Sequence, residues 1–161
     1  MSAGTYKIQV KKWAEDCVAR KIIVGEEVVL ACERYLSDLK RDDIELRSTD
    51  PDFAINIIQG TLVHQQGEDL EGKPLLGRPF LLEPWEMFVV YNLLGFFYKG
   101  TDERRYKEAY IQVARKNGKT SLIAGLAWAV SIMQRHSGSK TYIVANALKQ
   151  TLEAFHFLTF S

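Results

Sequence analysis

The residue types best suited to chemistry stand together at residues 114–120, which read ARKNGKT. A helix that begins here would offer first-turn backbone N–H groups and the positive end of its dipole to an anion. Gly118 lets the backbone approach a phosphate, Lys119 neutralises phosphate oxygens, and the hydroxyl of Thr120 is a ligand type for Mg²⁺. The segment therefore predicts a phosphate-binding loop, with the candidate residues Ala114, Arg115, Lys116, Asn117, Gly118, Lys119, Thr120 and Ser121.

The match to the full P-loop pattern is incomplete. The pattern G-x-x-x-x-G-K-[ST] requires a glycine five positions before Gly118, where this chain has Val113. The remaining triplet G-K-[ST] is common by chance, so an ordinary Asn117-Gly118 turn followed by a solvated Lys119 is the alternative interpretation. An apolar strand pattern before the segment and an apolar helix pattern after it favour phosphate binding.

The elements around the loop alternate between strand and helix. The runs Ala109–Val113 (AYIQV) and Thr141–Ala145 (TYIVA) are apolar and β-prone, whereas Ser121–Arg135 and Ala147–Phe160 have helical spacing. A βαβα order implies a parallel sheet with right-handed crossovers. The second half of the chain is therefore predicted to have an α/β fold.

The front half is predicted to be helical. Apolar spacing indicates helices over about 6–24, 26–40 and 50–64, the last with Asp50 as N-cap and Pro51 at its first position. A polar connector precedes that third helix, and a loop rich in Gly, Pro and charge follows it. Glu83-Pro84 then opens a helix that runs to about residue 97. We predict an N-terminal helical region at 1–78 and a second domain at 79–161.

Composition excludes several classes of protein. Hydrophobic residues make up 47% and charged residues 25% of the 161 residues, which is typical of a globular domain and not of disorder. The net charge is +1, yet residues from Tyr106 onward carry 7 basic against 2 acidic side chains, so an anion is expected there. Cys17 and Cys32 are predicted to be buried free thiols, and the three histidines lack ligand spacing. No signal peptide or membrane span is indicated, and we expect a cytosolic protein.

At this point the residues resemble a known family. The segment ARKNGKT after a strand resembles the deviant Walker A loop of phage large terminase subunits, which reads A-R-K-x-G-K-[ST]. The stretch LEPWE followed by LLGF resembles that family's adenine-side motif L-x-P-W-Q … G, and TYIVAN with the later Gln150 resembles its second strand. The resemblance covers about residues 80–160.

The resemblance implies an incomplete P-loop NTPase fold of the RecA/ASCE-like kind, with a parallel sheet preceded by a helical region. It implies ATP and Mg²⁺ as cofactors, Lys119 and Arg115 as catalytic residues, and Thr120 as the metal ligand. It also implies double-stranded DNA, a small terminase subunit and a portal as partners. A ring of subunits would then pump DNA into a procapsid in the cytoplasm of a phage-infected or lysogenic bacterium.

Two positions need separate interpretation. The family usually has Gln where this chain has Glu86, and an ionised carboxylate accepts hydrogen bonds without donating any, so adenine selectivity is in question. Trp85 is expected either to stack on the base or to pack in the core at a helix start. In the family an arginine within the loop reaches the γ-phosphate, and Arg115 occupies that place; the alternative is that Arg115, like Lys116, faces solvent.

Hydrolysis needs acidic groups that the sequence does not supply at the usual place, the end of a later apolar strand. TYIVA is followed by Asn146, and the pairs Glu26-Glu27, Asp42-Asp43 and Asp102-Glu103 stand in connectors or at a helix start. We therefore expect the N-terminal part of a longer protein or a truncated reading frame, ending before Walker B and without nuclease residues, and inactive alone. A helicase-type ATPase fragment and a non-catalytic interaction module with a vestigial loop are the alternatives.

Overall fold

A computed structural model describes residues 5–69, 71–114, 117–133, 140–145 and 148–160. Its elements in chain order are α1 (Thr5–Val18), α2 (Glu26–Asp38), β1 (Ile44–Leu46), α3 (Thr49–Thr61), α4 (Pro84–Gly95), β2 (Phe96–Tyr98), α5 (Lys119–Met133) and α6 (Leu148–Phe160). The chain forms two compact units. Unit 1 comprises Met1–Asp52 and Glu83–Tyr110, and unit 2 comprises Phe53–Leu82 and Ile111–Ser161. The domain boundary predicted after residue 78 stays a prediction.

Unit 1 is built around aromatic side chains on three helices. Trp13 of α1 and Tyr35 of α2 both contact Phe88 of α4, with ring centroids 5.1 and 5.4 Å apart, and Tyr35 also meets Phe96 edge-on at 5.6 Å. Such tilted and edge-on pairs are the favoured arrangements of buried rings. Tyr35 is fully buried, so these contacts form the centre of the unit.

The predicted helices of unit 1 are confirmed, but two of their ends differ. The first helix was expected to run to about residue 24 and ends at Val18, because Arg20 takes a left-handed backbone (φ 58°) that no α-helix continues through. Asp50 was expected to cap α3, whereas the Asp52 N–H donates to the Ser48 carbonyl and the helix begins at Thr49. Asp50 therefore lies within the first turn, where a negative charge also suits the helix dipole.

The strands β1 and β2 form a short antiparallel pair. The sequence had predicted a polar connector where β1 lies and the end of a helix where β2 lies. Ile44 pairs with Tyr98 and Leu46 with Phe96. The helix α4, which leads into β2, ends at Gly95. A Cβ added at this residue would lie 2.7 Å from Leu46 Cδ1 and 3.4 Å from the Arg47 carbonyl oxygen. Only a glycine lets β1 approach the end of α4 this closely. The pairing partners are far apart in sequence, so local patterns gave no sign of them.

Unit 2 packs the end of α3, the following extended segment, α5 and α6. Ile58 and Leu62 at the end of α3 are buried, and Val63 forms an isolated antiparallel bridge with Pro79. Phe80, at the far end of that segment, stacks edge-on against Phe157 of α6 at 5.5 Å. The core of unit 2 thus combines residues from both halves of the sequence.

The structure does not show the two strands predicted in the second half. Residues 109–113 and 141–145 form no strand, and no parallel sheet occurs among the described residues. Parallel strands are stable when neighbours pair with them and both faces are covered, whereas Tyr110, Tyr142 and Val144 are 89%, 77% and 91% exposed. The helices predicted after each run are present as α5 and α6, so the mixed helix and strand composition is confirmed but the parallel sheet is not.

Two further predictions concern the burial of the two cysteines and the lack of a membrane span. Cys17 and Cys32 are free and buried, as predicted, and burial raises the pKa of Cys32 to about 12. Within the described ranges, no helix has the length and apolar character that crossing a bilayer requires.

Candidate functional site

The phosphate-loop candidate meets a helix at Gly118. This residue has a left-handed backbone with φ 66°, and its carbonyl accepts a hydrogen bond from the Leu122 N–H at 2.9 Å. The helix α5 therefore begins at Lys119, two residues before the predicted start at Ser121. A side chain at position 118 would strain this conformation, so a glycine is required there.

The loop before the helix is closed by Asn117. Its side-chain Nδ2 donates a hydrogen bond of 3.4 Å to the carbonyl oxygen of Ala114, and both residues are exposed. Such side-chain to backbone bonds are how asparagine supports tight turns. Arg115 and Lys116, which the sequence places in the loop, lie outside the described residues.

The first turn of α5 carries the cation and hydroxyl groups that a nucleotide site needs. Lys119 and Thr120 are exposed, and Ser121 is half-buried. No acidic residue stands in this turn, so the turn itself carries no carboxylate that would repel an anion. The N–H groups of the first turn of a helix have no acceptor within the helix, and the dipole is positive there. Together these features fit a nucleotide phosphate with its Mg²⁺ ion.

Glu86 is placed by a capping box at the start of α4, in unit 1. Its Oε2 accepts the Glu83 N–H at 2.8 Å, while the Glu83 side chain accepts the Glu86 N–H. Glu86 is only 4% exposed, and this burial raises the pKa of its carboxyl to about 7. Two helix-end N–H groups are satisfied by this reciprocal arrangement. The side chain thus has a structural role in the described chain.

Trp85 and Glu86 lie in unit 1, whereas residues 114–121 lie in unit 2. Trp85 is half-buried in the first turn of α4. Glu83-Pro84 was predicted to open this helix, but the capping box between Glu83 and Glu86 was not predicted, although Glu83-Pro84-Trp85-Glu86 has the acid spacing of one with proline at the first helical position. That spacing was the signal available for it.

A metal site could also be formed by His, Cys, Asp or Glu side chains elsewhere in the chain. Among the described residues, no three His, Cys, Asp or Glu side chains come together in a way that could hold an ion. His64 packs against the ring of Phe80 at 5.1 Å, and its burial lowers its pKa.

Comparison with known proteins gives one family match. Residues 84–158 match the family model described as terminase large subunit, ATPase domain. The matched range contains Trp85, Glu86 and the whole of 114–121. Comparisons with curated proteins and with solved structures gave no match. The matched segment is similar to the ATPase domain of terminase large subunits, which confirms the resemblance predicted from the residues.

Proposed function

We propose that residues 114–121 bind the phosphates of Mg·ATP as a deviant Walker A loop. The observation that supports this proposal is the backbone of Gly118, which is left-handed immediately before the first turn of α5. Gly118 lies inside the segment that matches the terminase ATPase domain. A helix start with a glycine in front is the arrangement that phosphate loops use. The match also favours a terminase over the helicase alternative.

Four residues of the loop have a proposed role. Lys119 is the counter-ion of the β- and γ-phosphates, and the N–H groups of Lys119, Thr120 and Ser121 donate to phosphate oxygens. Thr120 supplies the hydroxyl that would hold Mg²⁺, and the ion would neutralise phosphate charge. Arg115 is proposed as a contact of the γ-phosphate, because its planar guanidinium suits two phosphate oxygens at once.

The base-binding side has different support. Trp85 is proposed to stack on the adenine, and the family's usual glutamine at the next position would read the base edge. The carboxyl of Glu86 already accepts the Glu83 N–H and is buried. We therefore propose that position 86 contributes little hydrogen-bond selectivity for adenine in this chain.

The wider function follows from the family. We propose that the protein acts as a DNA-packaging ATPase, in a ring that translocates double-stranded DNA into a procapsid with a small terminase subunit and a portal. The α/β core with a parallel sheet and a division near residue 78 belong to the same proposal, as does an intracellular site in an infected or lysogenic bacterium. The matched ATPase domain is what supports these statements.

The loop assignment is tested by Lys119→Ala. Removing a charge-assisted contact should weaken Mg·ATP binding about 10- to 100-fold, measured by isothermal titration calorimetry. Lys140→Ala, which removes another exposed lysine of unit 2, is the matched control and should bind like the wild-type chain. Equal affinity of the wild type and Lys119→Ala would overturn the proposed function.

A further inference from the structure

The helix that carries Lys119 is in close contact with the end of α3. Its buried residues include Leu122, Ala124, Gly125 and Ala129, most of them small. A Cβ built at Gly125 would lie 3.1 Å from Leu62 Cδ1 and 3.2 Å from Ile58 Cγ1. These distances are shorter than ordinary van der Waals contact, so even one methyl group would require the Leu62 and Ile58 side chains or the helix to shift by a few tenths of an ångström.

The residues that meet Gly125 are themselves held firmly. The Leu62 N–H donates to the Ile58 carbonyl at 3.0 Å, and the Leu62 carbonyl accepts the Phe80 N–H at 2.9 Å. Phe80 is backed by Phe157 of α6. These hydrogen bonds hold the backbone of Leu62 in place, so the larger the side chain at position 125, the more of the displacement must be taken up by α5 once the Leu62 side chain has shifted.

Gly125 is close enough to the loop to govern it. At 1.5 Å rise per residue it lies about 9 Å along the helix axis from Lys119. The intervening Leu122 is fully buried and donates to Gly118, which connects the packed part of α5 to the loop. A helix is stiff over this length, so a displacement at Gly125 is transmitted to its first turn.

We propose that Gly125 is a positioning residue for the phosphate loop, and that its contact with Ile58 and Leu62 sets where the first turn of α5 lies. The inference rests on the proposed nucleotide function. It gives the end of the front half of the sequence a part in the nucleotide site, as the support of the phosphate-binding helix.

The test compares Gly125→Val with Gly60→Ala. Val places three carbons against Ile58 and Leu62, whereas a Cβ at Gly60 in α3 would meet nothing within 4 Å. We expect Gly125→Val to shift the phosphate loop by up to about one ångström. A shift of this size should lower the Mg·ATP affinity about tenfold. Gly60→Ala should bind like the wild-type chain.

Two further variants separate positioning from general loss of stability. Val29→Ala makes a cavity in the core of unit 1, whereas α5 belongs to unit 2, and it should lower the melting temperature without changing the affinity. Leu62→Val removes the nearest atom to position 125, and in the Gly125→Val background it should restore part of the lost affinity. A folded Gly125→Val variant with wild-type affinity would overturn the proposal.

A second readout keeps the test independent of ATP binding. Hydrogen exchange of the amides at residues 117–124 should become faster in Gly125→Val and stay unchanged in Gly60→Ala. If the wild type and Lys119→Ala bind ATP equally, the proposed function fails, while the exchange data still decide whether Gly125 holds the loop. Unchanged exchange in Gly125→Val would contradict the positioning role.

Discussion

At the scale of single residues, Glu86 stands at the position of the family's adenine-side glutamine, but its carboxyl takes part in a capping box at the start of α4. The family's glutamine and this chain's glutamate can both accept the Glu83 N–H, so the capping box is compatible with either residue. What differs is the charge. A carboxyl that is 4% exposed favours the protonated form, and the cause is loss of hydration.

This burial predicts a dependence of stability on pH. The carboxyl of Glu86 has a pKa of about 7 in the folded chain, against 4.5 as its ordinary value. The folded state therefore binds the Glu86 proton more tightly than the unfolded state does. The stabilisation that results is fully present below pH 4.5 and is lost as the pH rises through about 7. Glu86→Gln stays neutral, so its free energy of unfolding should gain on that of the wild type by about 3 kcal/mol between pH 4.5 and 8.

Urea denaturation at a series of pH values measures that difference. Glu27→Gln, which alters an exposed carboxylate in the first turn of α2, is the control and should run parallel to the wild type. Parallel curves for Glu86→Gln and the wild type would show that Glu86 is not buried as described.

At the scale of elements, a buried carboxylate holds the segment after β2 against α2. Asp38 Oδ2 accepts hydrogen bonds from Arg105 Nε at 2.8 Å and from the Tyr106 hydroxyl at 2.7 Å, and Asp38 is 3% exposed. The bridge between Phe97 and Arg104 and the Arg105 N–H bond to the Phe96 carbonyl continue this attachment. The chain is thereby fixed shortly before it enters residues 107–114.

Asp38→Asn should destabilise unit 1 strongly. The substitution leaves the Arg105 guanidinium, which is 17% exposed, without its counter-charge, and breaking a buried pair in this way costs about 3 kcal/mol. The loss is measured as the change in the urea midpoint at constant slope. Asp43→Asn, at the exposed end of an ion pair with Arg41, is the matched control and should leave the midpoint unchanged. A small effect of Asp38→Asn would contradict the anchoring role.

The elements also show which features could be predicted from sequence. Helices were found because apolar spacing, Pro84 and the Gly118 turn are local signals, and α5 was placed within two residues of its start. The pair β1–β2 was missed because its register joins Ile44 to Tyr98 across a long stretch of chain. The contact of Gly125 with Ile58 and Leu62 was missed for the same reason. Local patterns carry no information about which distant residue comes close.

At the scale of the whole molecule, the front and back halves of the sequence are shared between the units. Unit 1 takes the first helices together with α4 and β2, and unit 2 takes the end of α3 together with α5 and α6. The linear picture of a helical region followed by an ATPase region does not capture this interleaving. The family match begins at residue 84, yet Ile58 and Leu62, which support α5, come from before it.

The distribution of acidic groups over the molecule leads to the last prediction, that these 161 residues do not turn over ATP. Hydrolysis needs one acid for Mg²⁺ and one to orient water. In the three acidic pairs of the sequence, four of these acids are already engaged in ion pairs: Glu26 with Arg20, Asp43 with Arg41, Asp102 with Arg47 and Glu103 with Lys107. Phosphate release under steady-state conditions should therefore equal the protein-free rate, and Lys119→Ala should not change it. Turnover that disappears in Lys119→Ala would show that the chain supplies a catalytic acid of its own.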